Sequence, residues 1–326
     1  MFENIHRWPY MSGKYVHIAK YDDYQLESAP FLLEFDFYKA SSYLAAIQSM
    51  LVPSHEARQA LLRRELENMV IHAVFGSNKI ENVGLSFEAA KDLCRQELQR
   101  QHHAEVATQV HQRKAGCLSD EEPMFSITQG QREVIQHMQA YLYMVQKFVV
   151  DGEAMSEDLI KCTHEILCRD IAVVHREGPE TPAKDYAGIY RTVIVGAGES
   201  NFVVPSRVPL KMRQMCQALV EELADASDVV DPFSLAAKYS LEFVLIHPFL
   251  DGNGRMCRII LNAILFRFLG IFITIGEDDV DKEMYLGIKR RASARMEGHG
   301  EYSAFVLKKS MKSLRKLKQK LHGKCH

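Results

Sequence analysis

An all-α fold carrying one small β-hairpin is what the sequence predicts, and three observations predict it. Nearly every strong apolar periodicity in the 326 residues falls at helical spacing. Two segments, 233–246 and 255–270, are apolar on almost every side and therefore read as central, buried helices. A single stretch, 192–204 (TVIVGAGESNFVV), has the short β-branched runs around glycines that mark a hairpin.

The elements follow in chain order. Residues 1–50, with the sole tryptophan Trp8, read as an N-terminal module of aromatic and extended character. From 51 to 130 the chain reads as a helical region and a connection. Leu62, Leu66, Met69, Val70 and Ala73 share one face of a helix over 56–75. A second helix is expected over 86–101 with Ser86 as its cap, and 102–128 turn polar and irregular, the pattern of a connection. Residues 131–310 form the expected core. Helical patterning resumes over 131–150 and over 156–171, where Ser156 is the expected cap. One hairpin cannot build a sheet core by itself, so 192–204 reads as a flap lying over something. Asp231-Pro232 opens the next helix, with aspartate as cap and proline at the first helical position. Gly270 closes the helix after it. The stretch 307–326 carries eight basic residues and no acid, and its end, 311–326, reads as a basic tail with a solvated face.

Composition narrows the function classes. Apolar residues at 47% and charged residues at 25% exclude wholesale disorder. Forty basic against forty-two acidic residues give a net charge of -2, so no global field recruits nucleic acid. No apolar run reaches the ~18 residues of a membrane span. The N-terminus lacks a basic region followed by an apolar stretch, so a secretory signal is not expected. Cys94, Cys117, Cys162, Cys168, Cys216, Cys257 and Cys325 form no CxxC pair, which suits the reducing cytoplasm or nucleus.

The loop between the two core helices, HPFLDGNGRMCR (247–258), carries the chemistry. Pro248 cannot continue a helix, which sets His247 at the end of one. Gly252 and Gly254 bare the backbone N–H groups where the next helix begins, a ready anion site. Arg255 and Arg258, three apart, point to one side, toward the same anion. Asp251 is a hard oxygen ligand beside that anion, suited to Mg2+. His247 is the one group here able to take a proton near neutral pH. A phosphate cradle, a metal ligand and a base thus fall within twelve residues.

The string HPFLDGNGR also resembles the signature of the Fic (filamentation-induced by cAMP) family, and GIYR (188–191) resembles that family's lead-in to its flap. The resemblance implies a helical bundle with a β-hairpin over a nucleotide site, and transfer of AMP from ATP to a protein hydroxyl. On it, His247 would deprotonate a Ser, Thr or Tyr hydroxyl. Asp251 would hold Mg2+, Gly252, Asn253 and Gly254 would supply the anion hole, and Arg255 and Arg258 would hold phosphates. Val195, Gly196, Ala197 and Gly198 would cover the nucleotide and align the target. Tyr285 would stand beside adenine, while the asparagine that some relatives carry seven residues later is Ala292 here. Residues 77–82, SNKIEN, are similar to the family's inhibitory motif. There Ser77 and Glu81 share a helical face, and the Glu81 carboxylate would neutralise Arg258. The resemblance leaves open whether AMP is also removed by the same site. The expected partners are ATP and a protein with an exposed hydroxyl, this chain itself included; a homodimer is an open option. The competing reading is a non-enzymatic module that senses ATP.

Overall fold

The computed structural model describes residues 6–9, 11, 17–18, 30–51, 56–83, 85–111, 128–175, 178–196, 202–225, 229–295 and 299–323. Among them, ten α-helices supply nearly all regular structure, and the only strands are a two-residue parallel pair, β1 (His17–Ile18) with β2 (Val229–Val230). The centre is α7 (Pro232–Ile246) packed on α8 (Asn253–Leu269). Helix α7 starts where predicted, because Asp231 Oδ1 accepts the N–H groups of Phe233 and Ser234 at 3.0 Å. Helix α8 is buried along nearly its whole length and ends at Gly270, whose φ of 60° favours glycine. The indole N–H of Trp8 donates to the Gly270 carbonyl at 2.9 Å, and a Cβ at Gly270 would fall 2.5 Å from that indole nitrogen.

Two helices that position the site flank this pair. Helix α4 (Gln129–Met144) opens with a capping box between Thr128 and Gln131 and widens into a π-helical turn at Val145–Val150. Helix α5 (Glu157–Cys168) is capped by Ser156, which accepts the Leu159 N–H at 3.1 Å.

Several expectations need correction. Helix α2 (Glu56–Ile80) runs without a break from the 56–75 stretch into the SNKIEN motif, as one helix, carrying Ser77 on its last turn. Gly76 permits this, since a Cβ there would meet the Ile275 carbonyl at 2.5 Å. Helix α3 (Phe87–His111), with Ser86 Oγ accepting the Ala89 N–H, continues ten residues into the expected connection. Residues 102–111 hold no glycine or proline, so nothing there breaks a helix although its apolar stripe (Val106, Ala107, Val110) is weak. The rest of the expected connection, 112–127, lies outside the described residues.

The N-terminal region is not extended throughout. Pro30–Leu51 forms a 22-residue helix, α1, with Ala40, Leu44 and Ile47 buried against α10 (Gly300–His322). Nor is 311–322 a free tail. It is the second half of α10, and Leu314, Leu317 and Leu321 are buried at helical spacing while Lys320 pairs with Glu65. One continuous apolar core runs from Trp8 to Leu321. Helices α6 (Val208–Asp225) and α9 (Asp279–Arg295) complete the shell. In the expected flap, 192–196 and 202–204 carry no strand, and 197–201, including Ala197 and Gly198, lie outside the described residues. Among the described residues no helix is long and apolar enough to cross a membrane.

The packing of α10 has a measurable consequence. Leu317→Ala should lower stability by about 2–5 kcal/mol in urea unfolding. Lys316→Ala, at an exposed position, should stay within about 0.5 kcal/mol of wild type. Equal, small effects would show that this segment does not belong to the core.

Candidate active site

His247 is the left-handed residue (φ 52°) that ends α7, ahead of Pro248. The freed carbonyls of this helix end go to Arg191, whose Nε donates to the His247 carbonyl at 2.6 Å and whose Nη2 donates to that of Ile246 at 3.4 Å. The same guanidinium donates to the carbonyls of Val193 and Val203, one near each end of the expected flap. The imidazole Nδ1–H donates to Val244 O at 3.1 Å, which leaves Nε2 as the basic nitrogen. Phe202 stacks on the ring at 3.8 Å. Burial pulls the His247 pKa down to about 4; the Val244 hydrogen bond opposes this, while Arg191 and Lys289 reinforce it. The imidazole is therefore neutral at pH 7.

The loop is folded by groups pointing inward. Asn253 closes it, accepting the Phe249 N–H at 3.0 Å and donating to the Phe249 carbonyl at 2.8 Å. Beneath it, the His164 ring of α5 stacks on Phe249 at 3.7 Å. His164 Nε2 donates to the Asp251 carbonyl and Nδ1 accepts the Gly188 N–H, both at 2.9 Å. Gly252 (φ 75°) has no room for a side chain, since a Cβ would lie 3.0 Å from His164 Nε2 and 3.1 Å from Cys168 Sγ. No side chain caps α8, so none competes for the N–H groups of its first turn.

The two arginines diverge, contrary to the expected shared target. Arg255 donates to Glu133 of α4 at 3.3 Å and to Asp251 Oδ2 at 3.2 Å. Arg258, 3% exposed by its side chain, turns to α2. Its Nε donates to Ser77 Oγ at 2.6 Å, and Nη2 donates to the Ser77 carbonyl at 3.1 Å and to Glu81 Oε1 at 2.5 Å. Burial alone would raise the Glu81 pKa, yet Arg258 and Arg255 outweigh it and hold the carboxylate below its ordinary value. The Glu81 carboxylate also stands over the α8 N-terminus, 2.5 Å from where a Gly254 Cβ would be.

A cavity of about 580 Å³ gathers most of the expected site. His247, Asp251, Gly252, Asn253, Gly254, Arg258, Val195, Gly196, Tyr285 and Glu81 line it. Arg255 and Ser77 stand behind the wall. Asn253 contributes backbone only, its side chain being spent on Phe249. Tyr285 is 1% exposed and packs against Tyr302 and Phe305, with the cationic groups of Lys289 and Arg258 4.7 and 5.9 Å from its ring centroid. Packing is what this geometry supports for Tyr285; stacking on a base would need the ring uncovered. Asp251 is half exposed, and among the described residues its Oδ1 has no protein partner, so it fits a divalent cation whose other ligands come from water and phosphate. No cluster of three or more His, Cys, Asp or Glu able to hold a metal occurs among the described residues.

Sequence reasoning missed Arg191, His164 and Lys289. Arg191 ends the GIYR motif, and nothing local marks its charge as the one that ties the end of α7 to the flap. His164 looks like any histidine on an apolar helix face, and Lys289 needs the fold to bring it to the cavity, where its Nζ donates to Cys257 Sγ at 2.6 Å.

Comparison with known proteins agrees with this architecture. The Fic/DOC family model matches residues 154–265. Protein adenylyltransferase fic-1 of Caenorhabditis briggsae is 39% identical over 111 residues, which cover 33% of this chain and 21% of the relative. The chain thus spans about a fifth of that relative. A Fido domain-containing protein of Dictyostelium discoideum is 31% identical over 115 residues, 34% of this chain and 79% of the relative. Among solved structures, a Fic domain containing signaling protein from Bacteroides thetaiotaomicron superposes with a TM-score of 0.64 at 18% identity, covering 88% of this chain and 99% of that one. A Fic-1 fragment (residues 134–508) of Caenorhabditis elegans superposes at 0.61 with 19% identity, covering 88% and 73%. At such identities the superpositions establish a shared fold.

The buried imidazoles predict an acid-labile fold. Burial lowers the pKa of His164 to about 3 and that of His137, on α4, well below its ordinary value. Below about pH 6.5 the unfolded chain takes up protons that these sites refuse, so stability falls with pH. Each contributes a loss of about 1.4 kcal/mol per pH unit until its folded pKa is reached. The urea midpoint should be flat from pH 8 to 7 and fall between 6.5 and 5; a midpoint flat down to pH 5 would contradict the burial of these rings.

Proposed function

The chain belongs to the Fic/DOC family, and on that premise we propose that it is a protein adenylyltransferase, moving AMP from ATP to a Ser, Thr or Tyr hydroxyl of a protein. One observation carries the reading: a neutral imidazole with its Nε2 free faces the same cavity as an uncapped helix N-terminus and the buried Arg258 cation. His247 Nε2 takes the proton of the target hydroxyl as its oxygen forms a bond to the α-phosphorus. The bond from that phosphorus to the β-phosphate bridging oxygen breaks, and pyrophosphate leaves with the electron pair. The N–H groups of the first α8 turn and the Arg258 guanidinium stabilise the charge on the phosphate oxygens. Asp251 would hold Mg2+, which when bound supplies further neutralisation of the phosphates. Arg191 is a positioning residue. It fixes the end of α7, and with it His247, to residues on both sides of 197–201.

We also propose that Ser77 and Glu81 restrain the reaction. Glu81 occupies the charge that a terminal phosphate needs, and its carboxylate stands over Gly254, where a phosphate would approach α8. The same carboxylate, facing the cavity, supports removal of AMP from a modified target by orienting water.

His247→Ala should reduce transfer of labelled AMP at least about 100-fold while leaving ATP binding intact; retained labelling removes His247 as the base. Glu81→Gly should raise self-modification, read as a gain of one adenylyl mass. Failure of that gain, with ATP still bound, would favour the ATP-sensing module instead. In the Glu81→Gly protein the acid limb of the pH–rate profile should lie near pH 4 rather than 6.5, because the low His247 pKa keeps the base unprotonated above it.

A further inference from the structure

A second cavity, of about 340 Å³, opens between α2, α3 and α10 and shares no lining residue with the first. Lys91, Arg95, Lys309, Lys312, Lys316 and Lys320 line it, against only two carboxylates, Glu65 and Glu277. Three of the six cations have partners: Lys91 with Glu88, Lys309 with Asp281, and Lys320 with Glu65. Arg95, Lys312 and Lys316 make no salt bridge within 4 Å among the described residues, and all three are exposed, although Arg95 stands close enough to Glu67 to oppose the rise of its pKa. Glu277 faces His72 at 3.9 Å.

This concentration of positive charge does not follow from the chain's composition, whose net charge is -2. Like charges held around one concavity repel unless an anion joins them, and the field inside a concave, partly apolar wall is focused rather than dispersed. The wall includes the His72 and Phe87 rings, 4.6 Å apart, and the Lys91 ammonium lies 5.8 Å from the Phe87 centroid. Burial holds the His72 pKa down; Glu277 opposes this, and Lys316, Lys320 and Lys91 add to it. The volume is that of a small-molecule site, and the cations come from two helices into one hollow rather than along an extended face. We propose that this cavity binds a small oligophosphate, with Arg95, Lys312 and Lys316 as its principal cations.

The test is calorimetric titration of inorganic tripolyphosphate into the full chain at low salt, without ATP. Its readout is binding, so it is independent of whether AMP is ever transferred. Wild type should show a site that the double variant Lys312→Glu/Lys316→Glu weakens roughly ten-fold or more. Arg95→Glu, on a different helix, should weaken the same site, and circular dichroism checks that each variant is folded. No binding by wild type, or an affinity indifferent to these three charges, overturns the proposal. So does an affinity that tightens only in Glu81→Gly, since the anion would then sit on the loop before α8. Single-stranded DNA and phosphatidylserine vesicles are titrated in parallel. Binding of either that these charges control, with no binding of tripolyphosphate, overturns it in favour of a macromolecular surface.

Discussion

The buried guanidinium of Arg258 is the constraint around which the rest is arranged. A charge removed from water needs near-complete hydrogen bonding. Here the partners come from the end of α2: Ser77 by hydroxyl and carbonyl, Glu81 by carboxylate. A second layer stands behind the first. His137 lies within 3.5 Å of Ser77 Oγ and 2.9 Å of Asn78 Oδ1, and Tyr141 donates to the Arg258 carbonyl. The contact therefore locks α2, α4 and α8 together at the point where α8 presents its free N–H groups. Structure and proposed chemistry draw on one cation.

That sharing has an energetic consequence. Removing one partner of a buried ion pair costs more than the pair contributes, because the remaining charge is left without a counterion. A phosphate arriving at Arg258 can displace Glu81 at modest cost only by replacing its negative charge. Glu81 is the less buried partner, 36% exposed against 3% for the arginine, so the carboxylate is the side that solvent and an incoming anion can reach. Ser77 can stay in place throughout, since it is a neutral partner and does not compete for charge. On this view restraint and binding are alternative ways to satisfy the same guanidinium.

Much of this was legible in the sequence, for identifiable reasons. Asp231-Pro232, Ser156 and Gly270 act through local backbone chemistry, and each sets a helix end where it was expected. His247, Asp251 and Gly252–Gly254 fall within eight consecutive residues, so their grouping requires no knowledge of the fold. What escaped depends on long-range packing. Arg255 and Arg258 share a helix face by spacing, yet Glu133 of α4 and Glu81 at the end of α2 take them as separate partners. The basic stretch after Met311 looked like a tail because its lysines mask Leu314, Leu317 and Leu321, which matter only once α1 and α2 are beside them. The continuation of α3 past residue 101 carries only a weak apolar stripe, Val106, Ala107 and Val110, among polar residues.

The most direct measurement is a crystal structure of the Glu81→Gly protein with Mg-ATP. The account predicts the triphosphate along the first turn of α8, a phosphate on Arg258 in place of the lost carboxylate, and His247 Nε2 facing the side of the α-phosphorus where an alcohol would enter. A nucleotide bound elsewhere, or a phosphate chain that leaves Arg258 bonded only to Ser77, would contradict it.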